Sequence, residues 1–239
     1  MLPLPDGEAH VWLASTEEAY SSSHLARFER LLCPEETVQR ARFRFPVDRR
    51  RYLLGHALVR TVLSAYSDAD PTEWRFVRNE FGRPEPMLNA QQSLRCNLSG
   101  TLGLVACVIT RVADAGIDVE DVTRLTDPMD LARHAFAPHE VEELESLAGE
   151  QQRFRFFEYW TLKEAYLKAC GVGLSGQLSQ AGFRFKTDGL PTLSSASESA
   201  RWQFHLSRPM PGHLLAVAVR KEQGEPFRIV ERWGLPLIA

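Results

Sequence analysis

Lysine is nearly missing from this chain. Its 239 residues hold four lysines, Lys163, Lys168, Lys186 and Lys221, against twenty-four arginines. Two of the four, Lys163 and Lys168, flank Glu164. Cysteine is sparse too, and Cys33, Cys96, Cys107 and Cys170 show no CxxC spacing. They read as small buried hydrophobes in a reducing compartment, against a disulfide framework or a zinc site. The N-terminal residues include Asp6 and Glu8 and lack a basic stretch followed by an apolar one, so no signal peptide is expected. No apolar run approaches the length of a membrane span. A soluble cytoplasmic protein without membrane contact is expected. The net charge of −3 gives no overall positive field, which argues against electrostatic nucleic-acid binding by the chain as a whole.

What is present is an α+β pattern. A strand is expected around His10–Ala14, then helices near Glu17–Leu32 and Pro34–Arg42. A long helix follows from about Arg49 to Tyr66, with Asp48 as its cap. Trp74–Asn79 reads as a strand, Phe81–Pro84 as a turn, and Arg95–Ser99, Leu104–Thr110 and Ile117–Glu120 as strands. Helices are expected near Met129–Ala135, His139–Leu147 and Gln152–Cys170, the last stopped by Gly171. Strands return at Gly182–Lys186, Trp202–Leu206 and Leu214–Arg220.

A weak internal repeat runs through this order. Leu54–Arg60 lines up with Leu162–Lys168 at an offset of 108, and Leu104–Ile109 with Leu214–Val219 at 110. Between them, the turn Gly82-Arg83-Pro84 lines up with Gly189-Leu190-Pro191 at 107. Two similar α+β halves are expected, residues 1–110 and 111–239, packed together because each alone buries little core.

Two acidic clusters carry the chemistry. In Gly116-Ile117-Asp118-Val119-Glu120 a strand puts Asp118 and Glu120 on one face and Ile117 and Val119 on the other. Two carboxylates on one face repel unless a cation sits between them, and hard oxygen ligands suit Mg²⁺. The plainer reading is a solvated strand end. In the second cluster, Trp160, Glu164 and Lys168 share a helix face at four-residue spacing. Surrounding aromatics make this helix apolar nearly all round, so its glutamate should be desolvated and in need of a partner. It is either an ordinary ion pair with Lys168 or a base or metal ligand. The arginines from Arg40 to Arg83 read mostly as a solvated face, with some available to an anion.

The order Phe81-Gly82-Arg83-Pro84, Asn97-Leu98-Ser99, Gly116–Glu120 and Trp160-x-x-Lys163-Glu164-Ala165-x-x-Lys168-Ala169-x-Gly171 resembles the Sfp-type 4′-phosphopantetheinyl transferases. The resemblance covers roughly Pro34 to Gly173. It implies a pseudo-twofold monomer of two α+β halves, the second carrying the metal site. It further implies transfer of the 4′-phosphopantetheine arm of coenzyme A to a serine of an apo acyl or peptidyl carrier protein, releasing 3′,5′-ADP. Such carriers serve fatty acid, polyketide or nonribosomal peptide synthesis. By the same resemblance, Asp118, Glu120 and Glu164 hold Mg²⁺, and Glu164, Lys168 and Asp118 are the catalytic residues. Arg78, Arg83, Asn97, Ser99, Lys163 and Lys168 contact coenzyme A. The Asp121–Ala137 segment reads either as a loop that docks the carrier through exposed arginines and apolar residues or as a plain connector.

Three positions depart from the family pattern. Gly100 stands where a histidine usually follows Asn-x-Ser, and Glu36 and Gln39 stand where basic residues help hold the 3′-phosphate. A Gly100→His variant is therefore expected to bind coenzyme A more tightly. The competing readings are a non-catalytic coenzyme A or carrier-protein binding module of the same fold, and a nucleic-acid binder using Arg40–Arg60.

Overall fold

The computed structural model describes residues 1–17, 21–79, 84–87, 94–124, 128–171, 178–221 and 224–235. The first half runs β1 (Glu8–Ser15), α1 (Ser22–Glu29), α2 (Pro34–Arg42), α3 (Pro46–Ala65), the hairpin β2 (Arg75–Arg78) and β3 (Pro84–Met87), β4 (Arg95–Thr101) and β5 (Leu104–Thr110). The second runs β6 (Ala115–Asp121), α4 (Met129–Ala135), α5 (Pro138–Glu145), α6 (Gly149–Cys170), β7 (Phe183–Phe185), β8 (Pro191–Leu193), α7 (Ala196–Arg201), β9 (Trp202–Ser207), β10 (His213–Arg220) and β11 (Arg228–Trp233).

The two runs repeat one plan. Each has a strand, a long helix, a small hairpin and two more strands. The strands assemble in the same antiparallel order, β1-β5-β4 and β6-β10-β9. The fold is α+β, as the sequence pattern implies.

Alternation along the strands sorts the core into layers. On β5, Val105, Cys107 and Ile109 pack under α3 residues such as Leu54 and Leu58. Leu104, Ala106 and Val108 turn the other way and meet Ile117, Val119, Leu215 and Val217 of the second sheet. Phe156, Phe157, Leu162 and Ala165 of α6 cover that sheet's far face against Leu214, Ala216 and Ala218. The order of layers is helix, sheet, sheet, helix, and water is excluded from all three interfaces.

Several expectations need correction. Asp48 does not cap α3. The helix begins at Pro46, after Phe45, and Asp48 lies in its first turn, paired with Arg51 at 2.9 Å. Proline suits the first helical position because its φ is already helical and its missing N–H would be unbonded anyway. The helix expected from Glu17 starts at Ser22, where the Ser21 hydroxyl accepts from the His24 N–H. Gly171 stops α6 as expected, at φ 73°. β3, β8, α7 and β11 have no counterpart in the sequence reading.

β11 breaks the symmetry. It belongs to the chain's second half but pairs in parallel with β1 of the first sheet. It also meets β9, where the Phe227 N–H donates to Gln203 Oε1 at 2.7 Å and Glu231 accepts from Ser207 Oγ at 2.7 Å.

Candidate functional site

β6 and β4 run edge to edge between the two sheets without main-chain pairing. Side chains bridge them instead. Asn97 Oδ1 accepts from the Ile117 N–H at 3.0 Å, Ser99 Oγ from Val119 N–H at 3.3 Å, and Thr101 Oγ1 from Asp121 N–H at 3.3 Å. Every second residue of β4 thus satisfies a buried N–H on β6, which an unpaired strand edge requires. Asn97 and Ser99, expected as ligand contacts, tie β4 to β6.

Gly116 brings that strand against α6. A Cβ at this position would stand 2.1 Å from the Ala165 carbonyl oxygen and 2.4 Å from the Ala169 nitrogen. No side chain fits there, so only glycine allows the approach. The approach sets Asp118 and Glu120, on Gly116's face of the strand, against Glu164 and Lys168.

Lys168 bonds across to β6. Its Nζ donates to Asp118 Oδ1 at 2.6 Å, Ser99 Oγ at 3.0 Å and the Ile117 carbonyl at 3.2 Å. Ser99 Oγ also donates to Asp118 Oδ1 at 2.8 Å. Asp118 Oδ2 is buried without a partner. Glu120 Oε1 accepts from Trp160 Nε1 at 3.0 Å and from Arg124 Nη2 at 2.9 Å. Glu164 is buried. Burial, then the charge of Asp118, pushes its carboxyl up to about 7, with Lys168 pulling the other way. Glu120 is raised to about 7 by burial and Asp118, against Arg124 and the Trp160 bond.

This donor set suits a hard divalent cation. A buried carboxylate oxygen with no donor is costly, and two further carboxyls held near neutrality are poised to ionise beside positive charge. Among the described residues, no three His, Cys, Asp or Glu side chains are grouped to hold a metal ion.

Lys163 lies elsewhere. Its Nζ is enclosed and gives all three protons away, to Glu140 Oε2 at 2.8 Å, the Leu178 carbonyl at 2.8 Å and the Ala181 carbonyl at 2.6 Å. An ammonium has three donors, so none remains for a ligand. Glu140 in turn accepts from the Ala137 and Phe183 N–H groups. The expected coenzyme A contact from Lys163 is therefore corrected to a structural tie between α6, α5 and β7.

A cleft of about 1510 Å³ opens along α2, α3, the β2–β3 hairpin and β4, reaching Asn97 and Leu98. Arg30, Arg42 and Arg75 line it, together with Glu36 and Gln39. Arg78 closes β2 opposite Pro84, and Arg83 lies outside the described residues.

Comparison with known proteins gives a family. The sequence profile of the 4′-phosphopantetheinyl transferase superfamily matches residues 114–218. The chain is 35% identical over 177 residues to the 4′-phosphopantetheinyl transferase HetI of Nostoc sp., covering 73% of each. It belongs to the 4′-phosphopantetheinyl transferase superfamily. It is also 33% identical to the 4′-phosphopantetheinyl transferase psf-1 of Bacillus pumilus, covering 78% of each chain. To the enzyme Sfp of Bacillus subtilis it is 27% identical, over 80% of this chain and 83% of that one.

As a phosphopantetheinyl transferase, the chain accommodates its departures in specific ways. Glu36 is neutralised by buried Arg60, whose Nη2 stands 2.8 Å from Glu36 Oε2. Gly100 is exposed, and a Cβ there would meet Val105 Cγ1 at 3.1 Å and the Arg51 stem at 3.5 Å. Two residues of the site were not assigned to it from the sequence. Thr101 continues the every-second-residue spacing of Asn97 and Ser99, and that spacing is its signal. Arg124 follows Glu120 by four residues in a non-helical turn, where spacing signals nothing.

Proposed function

We propose that this transferase moves the 4′-phosphopantetheine arm of coenzyme A to a serine hydroxyl of an apo acyl or peptidyl carrier protein. The Ser O–P bond forms at the phosphorus bearing pantetheine, and the bond to 3′,5′-ADP breaks. The observation that carries the reading is the convergence of Asp118, Glu120, Glu164 and Lys168 where β6 meets α6, with Asn97 both bonded to that strand and lining a cleft that holds Arg30, Arg42 and Arg75.

Asp118, Glu120 and Glu164 would hold Mg²⁺, which when bound neutralises the pyrophosphate charge. Glu164 takes the serine proton. Its raised affinity for protons suits a general base working near neutrality. Lys168 stands beside Asp118 and steadies negative charge on the departing phosphate. Arg30, Arg42 and Arg75 supply the positive lining that Glu36 and Gln39 lack, so the 3′-phosphate of coenzyme A lies toward them. The apolar length of the cleft takes the rest of the ligand. Half-exposed Leu131 and the exposed Arg124 and Arg133 give the Asp121–Ala137 segment an apolar and basic surface for an acidic carrier; residues 125–127 of it lie outside the described residues. The two halves, 1–110 and 111–239, act as one monomer, in the cytoplasm.

The test is release of 3′,5′-ADP from coenzyme A, followed chromatographically, with apo carrier and Mg²⁺. Release is expected only with both present. Binding of coenzyme A without release across several carriers favours the non-catalytic module. Loss of the arginine lining should show in binding: Arg42→Ala is expected to raise the Kd for coenzyme A by roughly tenfold, the usual scale of a charged contact.

A further inference from the structure

We propose that Arg124 is a resident counter-ion, occupying Glu120 in the metal-free enzyme and leaving it when the divalent cation binds, so that Arg124 sets the affinity for metal. The proposal rests on the metal reading above. Glu120 Oε1 carries two donors of different kinds. Trp160 Nε1 reaches it from α6 at 3.0 Å and is neutral. Arg124 Nη2 reaches it from the turn after β6 at 2.9 Å and is charged.

Arg124 is the exposed member of its ion pair. Its side chain is 52% exposed, whereas that of Glu120 is 10% exposed. An arginine stem at a surface returns its head group to water at little cost. The turn that carries it is fixed independently, because Asp121 Oδ1 accepts from both the N–H and the hydroxyl of Thr123, and the Val122 N–H bonds the Gly212 carbonyl. Removing the guanidinium therefore leaves the backbone of the site in place.

Charge balance points the same way. With all three carboxylates ionised, as a bound cation requires, Lys168 and Arg124 leave one negative charge in excess. A dication together with Lys168 neutralises all three carboxylates, and Arg124 then becomes surplus.

The test is direct binding of Mn²⁺, used as a spectroscopic stand-in, by electron paramagnetic resonance and calorimetry on the full chain. Arg124→Gln and Arg124→Ala are each expected to bind Mn²⁺ about fivefold more tightly than wild type, the effect of removing a half-exposed competitor. Arg124→Lys, which keeps the charge, is expected to bind as wild type does. Arg201→Gln, at an exposed arginine paired with Glu198, is the control and is expected to change nothing. Equal or weaker Mn²⁺ binding by both neutral variants, with wild type binding, overturns the counter-ion proposal. No binding by any of the proteins overturns the metal reading itself, and the proposal with it.

Discussion

Burial holds the Glu164 carboxyl in a state that costs stability once it ionises. The carboxyl is raised from 4.5 to about 7. Between those values the folded chain keeps a proton that the unfolded chain has lost. The stabilisation this brings is complete below pH 4.5 and fades as pH rises through about 7. Without metal, the melting temperature of the wild type is expected to fall from about pH 5 to about pH 8. Glu164→Gln removes the crowded charge. At about pH 8 without metal it is expected to melt roughly 2–8 °C higher, or about 1–2 kcal/mol, by calorimetry. The same variant is expected to lose about 10²–10⁴-fold in transfer rate. A second residue-scale prediction concerns Gly100. A Cβ there meets the Arg51 stem at an ordinary 3.5 Å and needs Val105 Cγ1, at 3.1 Å, to give only slightly, so Gly100→His is expected to fold and to bind coenzyme A more tightly than wild type. Calorimetric Kd values for the two proteins decide it.

At the scale of elements, the site depends on how closely β6 can lie against α6 and how it is held to β4. Gly116→Ala forces a methyl group into the backbone of Ala165 and Ala169. It is expected to cost about 3 kcal/mol or more and to abolish transfer. The denaturation midpoint checks the first part. Lys163 and Glu140 form a different kind of tie, an enclosed ion pair in which each partner is otherwise fully bonded. Lys163→Met leaves Glu140 buried and unpaired, at about 3–5 kcal/mol. Coenzyme A affinity measured on the fraction that remains folded is expected to be unchanged, which separates this role from ligand contact. The sequence pattern carried much of this architecture. Alternation placed Asp118 and Glu120 on one face of β6, and four-residue spacing placed Trp160, Glu164 and Lys168 together on α6. It failed where a role depends on the side of a helix that a tertiary partner occupies. Lys163 neighbours Glu164 in the motif, yet its position on α6 turns it to α5. It failed again at short edge strands. Pro84 and Pro86 hide β3 because proline disrupts the usual strand pattern.

At the scale of the molecule, two copies of one plan yield one site. β4 lies beside β6, and its counterpart β9 does not lie beside β1 in the same way. β11 pairs with β1 and takes contacts from β9. Ser207, which stands 108 residues after Ser99, gives its hydroxyl to Glu231 of β11. The repeat was legible at nearly constant offsets, but the strand that ends its symmetry was not, since β11 has no partner in the first half to be compared with. Truncation ahead of β11 is expected to expose the edge of β1, lower the melting temperature and promote self-association, because an open strand edge pairs with other chains. Light scattering and sedimentation read the association. The central claim, that the composite site moves a phosphopantetheine arm, is tested most directly by intact-mass spectrometry of an apo carrier protein. The carrier is incubated with coenzyme A, Mg²⁺ and either wild type or Glu164→Gln. The predicted result is addition of one phosphopantetheine mass by wild type alone. An unmodified carrier with wild type, across acyl and peptidyl carriers and with coenzyme A bound, would contradict it.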